Sequence, residues 1–313
     1  MAVKLLINSA DHVVPLNINR LEGRMLVLPA PKNRKREILL LYGSHSSLER
    51  MFTLAEELNM YGRVTMPDWP GFGGMDPFFK VGKKPTFDNM ADYLAAFIKL
   101  RYKRKRLTII GMSYGLAVAT RMLQKYPDLA RKVDFVVSIV GFTHREDFRM
   151  SKSTLFVMRA TGLLLRGRVT SKIARLFING PSVGATYTLL ANRNQKMIGA
   201  DKAERDRRIA FEKILWRVND LRTYFYTGYT FLTVDLCSKP GSQKVDVPMY
   251  HVAVTGDQFF NNHVVEQHLA IIYSSVNVTT IDIGAHMPTI IATSKQVAPF
   301  IPTKIRRLLA QKI

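Results

Sequence analysis

The sequence predicts an α/β protein, with a mostly parallel central sheet, helices on both faces of the sheet and an inserted helical cap. Residues 1–143 and 245–313 alternate short apolar runs with helical periodicity, which is typical of a parallel sheet packed between helices. The intervening residues 144–244 are helical in their periodicity. We therefore assign residues 1–143 and 245–313 to the core, and residues 144–244 to a cap, or lid, over it.

The individual elements follow from two simple patterns. Short apolar runs bounded by polar or glycine-containing segments predict strands, and apolar side chains that recur every three or four residues predict helices. The predicted strands cover residues 24–28, 38–42, 62–66, 107–110, 134–140, 249–254 and 276–283. The predicted helices cover residues 47–59, 90–100, 116–123 and 263–273, followed by a closing helix after Pro288.

Composition indicates a globular cytoplasmic protein. The 313 residues are 47% hydrophobic, enough for a full core. The first nine residues contain an apolar run of only three, which is too short for a secretory signal. The apolar stretch 154–165 is shorter than the roughly 20 residues that a membrane span needs. Cys237 is the only cysteine, so no internal disulfide forms, as expected in a reducing compartment.

The formal net charge of +22 is the most unusual feature of the composition. Half of it, +11, falls in residues 144–244, which contain 19 Lys/Arg and 8 Asp/Glu. A cationic cap would attract anionic substrates or contact an anionic membrane surface. Basic runs at 31–36 and 99–106 precede predicted buried strands, where solvated loops are expected. Specific nucleic-acid binding is disfavoured, because no RNA-binding, zinc-ligand or helix-turn-helix pattern accompanies these runs.

One pentapeptide carries the strongest chemical signal. Residues Gly111–Gly115 read Gly-Met-Ser-Tyr-Gly, a G-x-S-x-G pattern between a predicted strand and a predicted helix. A sharp strand-to-helix turn strains the backbone of its central residue and requires small neighbours. Such a turn lifts the hydroxyl of Ser113 to the carboxyl edge of the sheet, with the helix N-terminus behind it. The alternative is a plain glycine-containing turn without chemistry.

Four blocks along the chain form a pattern. They are the strand and turn at 39–44, the loop Asp68-Trp69-Pro70-Gly71-Phe72-Gly73-Gly74-Met75, the turn at Ser113 and the late Gly284-Ala285-His286-Met287-Pro288. Taken in this order, the blocks resemble the α/β-hydrolase family over essentially the whole chain. The resemblance implies that Ser113 is a nucleophile, His286 its base and Asp257 the orienting acid. It also implies that the amides of Ser44 and Tyr114 form an oxyanion hole.

The chain departs from the family pattern at two places. Tyr42 stands where the oxyanion loop commonly has histidine, and Asp257 directly follows Gly256 instead of standing three residues after it. Two alternatives follow for the acid: Asp257 caps a turn, or another carboxylate orients His286, with Asp282 the poorer candidate inside a predicted strand. For His286 the alternative is a structural histidine in a loop.

The expected function is hydrolysis of an ester or related acyl bond through a Ser113–His286–Asp257 triad and an acyl-enzyme intermediate. No motif calls for a cofactor or a metal. Apolar residues of the cap, together with Tyr224, Tyr226 and Tyr229, suggest an apolar acyl pocket, although core packing explains them equally well. The alternatives are an acyltransferase with the same nucleophile and a non-catalytic binding protein of the same fold.

Overall fold

The computed structural model describes residues 10–189, 200–238, 244–283, 286 and 292–311. Within these residues, eight strands form one sheet in the order β1-β2-β4-β3-β5-β6-β7-β8. The strands are β1 (Val13–Ile18), β2 (Leu21–Leu28), β3 (Arg36–Leu41), β4 (Gly62–Pro67), β5 (Leu107–Met112), β6 (Val133–Ile139), β7 (Met249–Val254) and β8 (Val276–Ile281).

The sheet is mostly parallel, as predicted. Only β2 runs against its neighbours, since it pairs antiparallel with both β1 and β4. The pairs from β4 through β8 are all parallel. Every residue of β3 and β5 is buried, as expected for central strands covered on both faces. The centre of the sheet is therefore the rigid base from which the loops after β3 and β5 project.

The helices fill the intervals between the strands. They are α1 (Leu48–Asn59), α2 (Phe87–Arg101), α3 (Tyr114–Lys125), α4 (Pro127–Ala130), α5 (Lys152–Leu165), α6 (Arg168–Phe177), α7 (Gly180–Leu189), α8 (Lys202–Val218), α9 (Leu221–Leu232), α10 (Asn262–Ile272), α11 (Ser294–Val297) and α12 (Thr303–Ala310). Short 3₁₀ turns occur at Phe78–Val81, Arg145–Asp147 and Ala298–Phe300. In the parts of the chain described above, no helix is both long and apolar enough to cross a membrane.

Most observed boundaries lie within a few residues of the predicted ones, but the short helix α4 was not predicted, and β1 and the closing helix also differ. Strand β1 was not predicted, because it contains Pro15 and Asn17 and lacks a clear apolar alternation. It pairs with β2 through a two-residue turn in which Asn19 and Arg20 have φ of 51° and 65°. The predicted closing helix is two helices, α11 and α12, separated by a short 3₁₀ turn and Pro302.

Helices α5 to α9 all lie between β6 and β7 in the chain, where helical periodicity was predicted. Helix α5 packs on α9 at Gly162, where an added Cβ would lie 3.2 Å from the Cβ of Tyr229. Helix α9 also reaches the core, because Thr223 contacts Gly71 so closely that a Cβ there would lie 2.6 Å from the Thr223 side chain. Helix α9 therefore lies against the loop that follows β4, and α5 packs on α9.

Candidate active site

Ser113 occupies the turn between β5 and α3. Its backbone has φ 48° and ψ −117°, a conformation that non-glycine residues rarely adopt. A Cβ at Gly111 would lie 2.8 Å from the backbone of Leu116, and a Cβ at Gly115 would lie 2.5 Å from the carbonyl oxygen of Leu41. Both positions therefore require glycine. The turn holds Ser113 at the carboxyl edge of the sheet, where α3 begins.

The loop that follows β3 passes directly beside this serine. A Cβ added to Gly43 would lie 3.3 Å from the Cβ of Ser113, so glycine allows the close approach. The next residue, Ser44, and the residue after the serine, Tyr114, line the same cavity as Ser113. In the described part of the chain, the main-chain N–H groups of Ser44 and Tyr114 have no acceptor. Two backbone donors are thus available beside the serine.

Asp257 and His286 form a buried carboxylate–imidazole pair. The Nδ1 atom of His286 lies 2.7 Å from Oδ2 of Asp257, and the two residues are 6% and 2% exposed. The other carboxylate oxygen, Oδ1, accepts hydrogen bonds from the N–H groups of Phe259 at 2.8 Å and Phe260 at 3.1 Å. The rings of these two phenylalanines contact the imidazole at centroid distances of 5.0 and 5.1 Å. Both members of the pair are therefore fixed in position.

The five residues predicted from the sequence come together around one cavity. Ser44, Ser113, Tyr114 and His286 line it, and Asp257 contacts His286. Gly284, Ala285, Met287 and Pro288, which surround His286 in the predicted motif, lie outside the described residues.

The competing acid, Asp282, lies elsewhere. It is exposed, follows the end of β8 and accepts a hydrogen bond from the hydroxyl of Thr255 at 2.8 Å. The sequence placed Asp282 inside a strand that continued to residue 283, and that boundary is wrong. In the described structure, the carboxylate that contacts His286 is that of Asp257.

The cavity has a volume of about 450 Å³ and mainly apolar walls. Many side chains of its walls are aromatic, and they include Phe142 and Phe148 from the segment after β6 and Tyr224, Phe225, Tyr229 and Phe231 from α9. Two of the three predicted pocket tyrosines, Tyr224 and Tyr229, are among them. The third, Tyr226, packs instead on the ring of Phe79, with a centroid distance of 6.2 Å.

Tyr42 connects the loop after β3 to the loop after β4. Its hydroxyl donates to Oδ1 of Asp68 at 2.7 Å and accepts the N–H of Trp69 at 2.9 Å. The indole N–H of Trp69 donates back to the carbonyl oxygen of Tyr42 at 2.9 Å. Burial raises the pKa of Asp68 to about 7, and the guanidinium of Arg24 at 2.8 Å opposes this rise. Tyrosine therefore replaces histidine here as part of a different buried network.

A second polar group lies in the cavity wall, and sequence reasoning missed most of it. Nε2 of His45 lies 3.1 Å from Oε2 of Glu212 on α8, and the Tyr187 hydroxyl donates to the same oxygen at 2.9 Å. Arg50 on α1 lies 3.8 Å from the other oxygen of Glu212. Burial lowers the pKa of Arg50, although the charge of Glu212 opposes the shift. Since His45 and Glu212 are 167 residues apart, no local sequence pattern predicts their contact.

His251 lies on β7 and is 2% exposed. Its Nδ1 atom lies 2.8 Å from the hydroxyl oxygen of Ser138 on β6. Burial lowers the pKa of His251 to about 4, and the charge of Asp257 only partly offsets this effect. His251 is therefore neutral in the folded protein at neutral pH.

Lowering the pH is expected to destabilise the fold through His251. The unfolded chain takes up the proton near its ordinary pKa of 6.5, and the folded chain takes it up only near 4, so stability is lost as the pH falls between these values. The loss should approach about 3 kcal/mol. Urea titrations across this window should show a shallower pH dependence for His251→Gln, whereas the exposed His263→Gln should follow wild type. Equal slopes for His251→Gln and wild type would contradict the assignment.

Three other side chains are arranged so that they could hold a metal ion. Ligand atoms of His144, Glu146 and His268 lie within 4.8 Å of one another. Nδ1 of His268 also lies 2.5 Å from Oδ1 of Asp147, whose other oxygen accepts the N–H groups of Thr143 and His144. Within the described structure, none of these side chains lines the cavity beside Ser113. Their contacts join the chain after β6 to α10.

Comparison with known proteins identifies the family of this chain. A family model described as the alpha/beta hydrolase fold matches residues 38–267, most of the chain. The chain belongs to the α/β-hydrolase family. The resemblance seen in the sequence is thereby confirmed, and the mostly parallel sheet flanked by helices is the fold of this family.

Solved α/β-hydrolase structures resemble the whole chain at low sequence identity. A thermophilic esterase from Thermogutta terrifontis has 14% identity and a TM-score of 0.65, over 96% of this chain and 99% of that one. A second structure, from a study of carboxylesterases of Nitrososphaera gargenis, has 13% identity and a TM-score of 0.62, over 95% of this chain and 96% of that one. At such identities the likeness shows the fold alone.

Curated relatives match a shorter part of the chain. Protein ABHD8 of Homo sapiens and of Bos taurus is 37% identical over 82 residues, which cover 25% of this chain. The chain spans only 18% of the length of these relatives in that match.

Proposed function

We propose that the protein is a serine hydrolase that cleaves an ester or a related acyl bond. Ser113 acts as nucleophile, His286 as general base and acid, and Asp257 as the group that orients His286. The observation that carries this proposal is the buried Asp257–His286 pair, joined at 2.7 Å, with His286 lining the same cavity as the strained Ser113. The esterase names of two structural relatives are consistent with this class of reaction.

The proposed reaction proceeds in two stages. The Oγ atom of Ser113 attacks the acyl carbon while Nε2 of His286 removes its proton, and the imidazolium then protonates the departing alcohol. Water next attacks the acyl-enzyme, again with His286 as base, and releases the carboxylic acid and free Ser113. Asp257 keeps the Nδ1 proton of His286 in place, so that Nε2 presents its lone pair.

The oxyanion of each tetrahedral intermediate would bind to the main-chain N–H groups of Ser44 and Tyr114. Ser44 lies in the short loop that follows the buried β3 strand, and Tyr114 is the first residue of α3. Donors fixed in advance stabilise developing charge without reorganising during the reaction. Because only main-chain atoms are used, Tyr42 in place of histidine does not remove this function.

Residues 144–244 would serve as the cap over this site, with residues 1–143 and 245–313 as the core. Aromatic side chains of α9 line the proposed acyl-binding cavity, which favours an apolar acyl group. Its volume of about 450 Å³ accommodates a substrate of moderate size. The positive charge of the cap favours an anionic substrate or surface.

A fluorophosphonate probe tests this proposal directly. Wild-type protein is expected to form a stoichiometric adduct that mass mapping places on Ser113. Ser113→Ala should form none, and His286→Ala should react far more slowly, because a neutral serine hydroxyl without its base is a poor nucleophile. The exposed residues Ser294 and His263 supply matched controls, and their alanine variants should label like wild type.

Absence of labelling in folded wild-type protein, at probe concentrations that label a control hydrolase, would contradict the proposal. The non-catalytic binding role would then be favoured. If the adduct forms, product analysis with added alcohols distinguishes hydrolysis from acyl transfer, because an acyltransferase would yield the new ester instead of the acid.

A further inference from the structure

Helices α5 and α6 expose an unusual amount of apolar surface. Nine of the 18 exposed large hydrophobic side chains in the described residues belong to these two helices. They are Phe156, Val157, Met158, Leu163, Leu164, Val169, Ile173, Leu176 and Phe177. Contiguous exposed apolar surface of this kind marks an interaction site in folded proteins. We call this surface the α5–α6 face.

Helix α6 exposes its apolar side chains and buries small ones, which is the reverse of an ordinary surface helix. Its exposed apolar side chains follow the spacing of one helix face, whereas its two buried residues, Ser171 and Ala174, are small. Arg175 points inward, and its guanidinium donates to the carbonyl oxygens of Trp216 at 2.5 Å and Asn219 at 2.6 Å. The helix is thus anchored by a cation while its apolar side faces outward.

The two helices also enclose an apolar groove of about 420 Å³. Leu164 and Leu165 of α5 form one side, and Ile173 and Phe177 of α6 form the other. Phe177 and Leu164 are at the same time 72% and 64% exposed. The groove is therefore an outward-facing feature of the α5–α6 face.

The charged residues of this segment of the chain have one sign. Residues 148–189 contain seven Lys/Arg and no Asp or Glu. Arg168 and Lys172 are exposed on α6, beside its apolar side chains. Apolar side chains flanked by lysine and arginine are the combination that binds the interface of an anionic bilayer. A second copy of the chain is disfavoured, because a symmetric contact would place these cations against each other.

The α5–α6 face continues to the cavity beside Ser113. Val157 and Met158 of α5 are 60% and 39% exposed, and both also line that cavity. An acyl chain that leaves a bilayer at this face could reach the cavity along the same helix. The exposed surface and the proposed acyl pocket are thus parts of one continuous apolar path.

We propose that the α5–α6 face docks on an anionic membrane and that the substrate is an acyl ester embedded in that membrane. The leucine, isoleucine and phenylalanine side chains enter the interfacial region, while Arg168 and Lys172 contact lipid phosphates. The docking itself stands on the exposed surface, and the choice of substrate rests on the proposed hydrolase function.

Vesicle sedimentation of the full chain tests the docking. We expect binding to phosphatidylcholine vesicles that contain phosphatidylserine, and much weaker binding to phosphatidylcholine alone. The double variant Leu176→Ser/Phe177→Ser should bind about tenfold more weakly or worse, because both side chains are 72% exposed and would enter the bilayer. Arg168→Glu/Lys172→Glu should lose the preference for anionic vesicles.

The control is Met60→Ser/Leu100→Ser, which removes apolar side chains that are 51% and 48% exposed on other elements. It should bind vesicles like wild type. Unfolding midpoints equal to that of wild type show that each variant is folded. Wild-type protein that does not bind anionic vesicles, or apolar variants that bind as well as wild type, would overturn the proposal. So would self-association that the Leu176/Phe177 variant abolishes without any vesicle binding.

Turnover separates the two proposals. Hydrolysis of a vesicle-embedded acyl ester, relative to that of a water-soluble short-chain ester, should fall in the Leu176→Ser/Phe177→Ser variant and not in the control. Vesicle binding by a protein that the fluorophosphonate probe cannot label would reject the hydrolase function and support the docking surface. Labelling by the probe without vesicle binding would support the hydrolase function and reject the docking surface.

Discussion

Ser113→Ala is expected to lower kcat for an activated acyl ester by about 10⁵- to 10⁶-fold. Alanine removes the atom that would form the acyl-enzyme, whereas the cavity walls and the main-chain donors remain. KM should therefore change little, and the remaining rate should reflect binding and the oxyanion donors alone. Steady-state kinetics with a p-nitrophenyl ester measure both parameters.

A matched serine variant makes this result specific. Ser294 is exposed on α11, and Ser294→Ala should retain the wild-type kcat. Active-site titration of the Ser113→Ala preparation with the fluorophosphonate probe measures any contaminating wild-type enzyme. A Ser113→Ala protein that keeps more than about a tenth of wild-type kcat would show that the chemistry does not pass through this hydroxyl.

Asp257→Asn is expected to lower kcat by about 10³- to 10⁴-fold with the fold intact. The asparagine oxygen can still accept the N–H groups of Phe259 and Phe260, so its NH₂ group would face Nδ1 of His286. The amide N–H of asparagine would donate a hydrogen bond to Nδ1, whereas the carboxylate of Asp257 accepts one from it. The imidazole is then held in the tautomer whose proton is on Nε2, which cannot accept the proton of Ser113.

Asp282→Asn is the matched control for this change, because Asp282 is the competing carboxylate in the sequence. Its side chain is exposed and bonded to Thr255, so kcat should stay within about twofold of wild type. The measurement is kcat for both variants over a range of pH. A larger loss for Asp282→Asn than for Asp257→Asn would reverse the assignment of the acid.

The parts of the site that could be predicted are those that local sequence controls. Gly111, Ser113 and Gly115 identify the strand-to-helix turn, because the turn's backbone requires glycine at two fixed positions. The resemblance to the α/β-hydrolase family implied the roles of Asp257 and His286. Their positions fit that expectation, because each follows a predicted strand and parallel strands end at the same edge of a sheet. The predicted order of strands therefore placed Ser113, Asp257 and His286 at one edge of the sheet, although they are far apart in the sequence.

The parts that could not be predicted depend on tertiary contacts. Glu212 is one of several acidic residues in residues 144–244, and only packing of α8 on the core buries it beside His45. The apolar spacing of α6 indicated a helix with one apolar face, but periodicity does not say whether that face meets the core or solvent. Strand β1 was missed because its pairing with β2, more than its own composition, makes it a strand.

The buried contact between Glu212 and His45 has a consequence for how this protein can be varied. Glu212 belongs to the helices between β6 and β7, whereas His45 and Arg50 belong to the loop and helix after β3. The helices are therefore not an interchangeable module. A chimera that receives this segment without His45 and Arg50 would bury the Glu212 carboxylate without these two contacts, at a cost in stability. Changes in this helical segment are therefore expected to affect the loop after β3 as well.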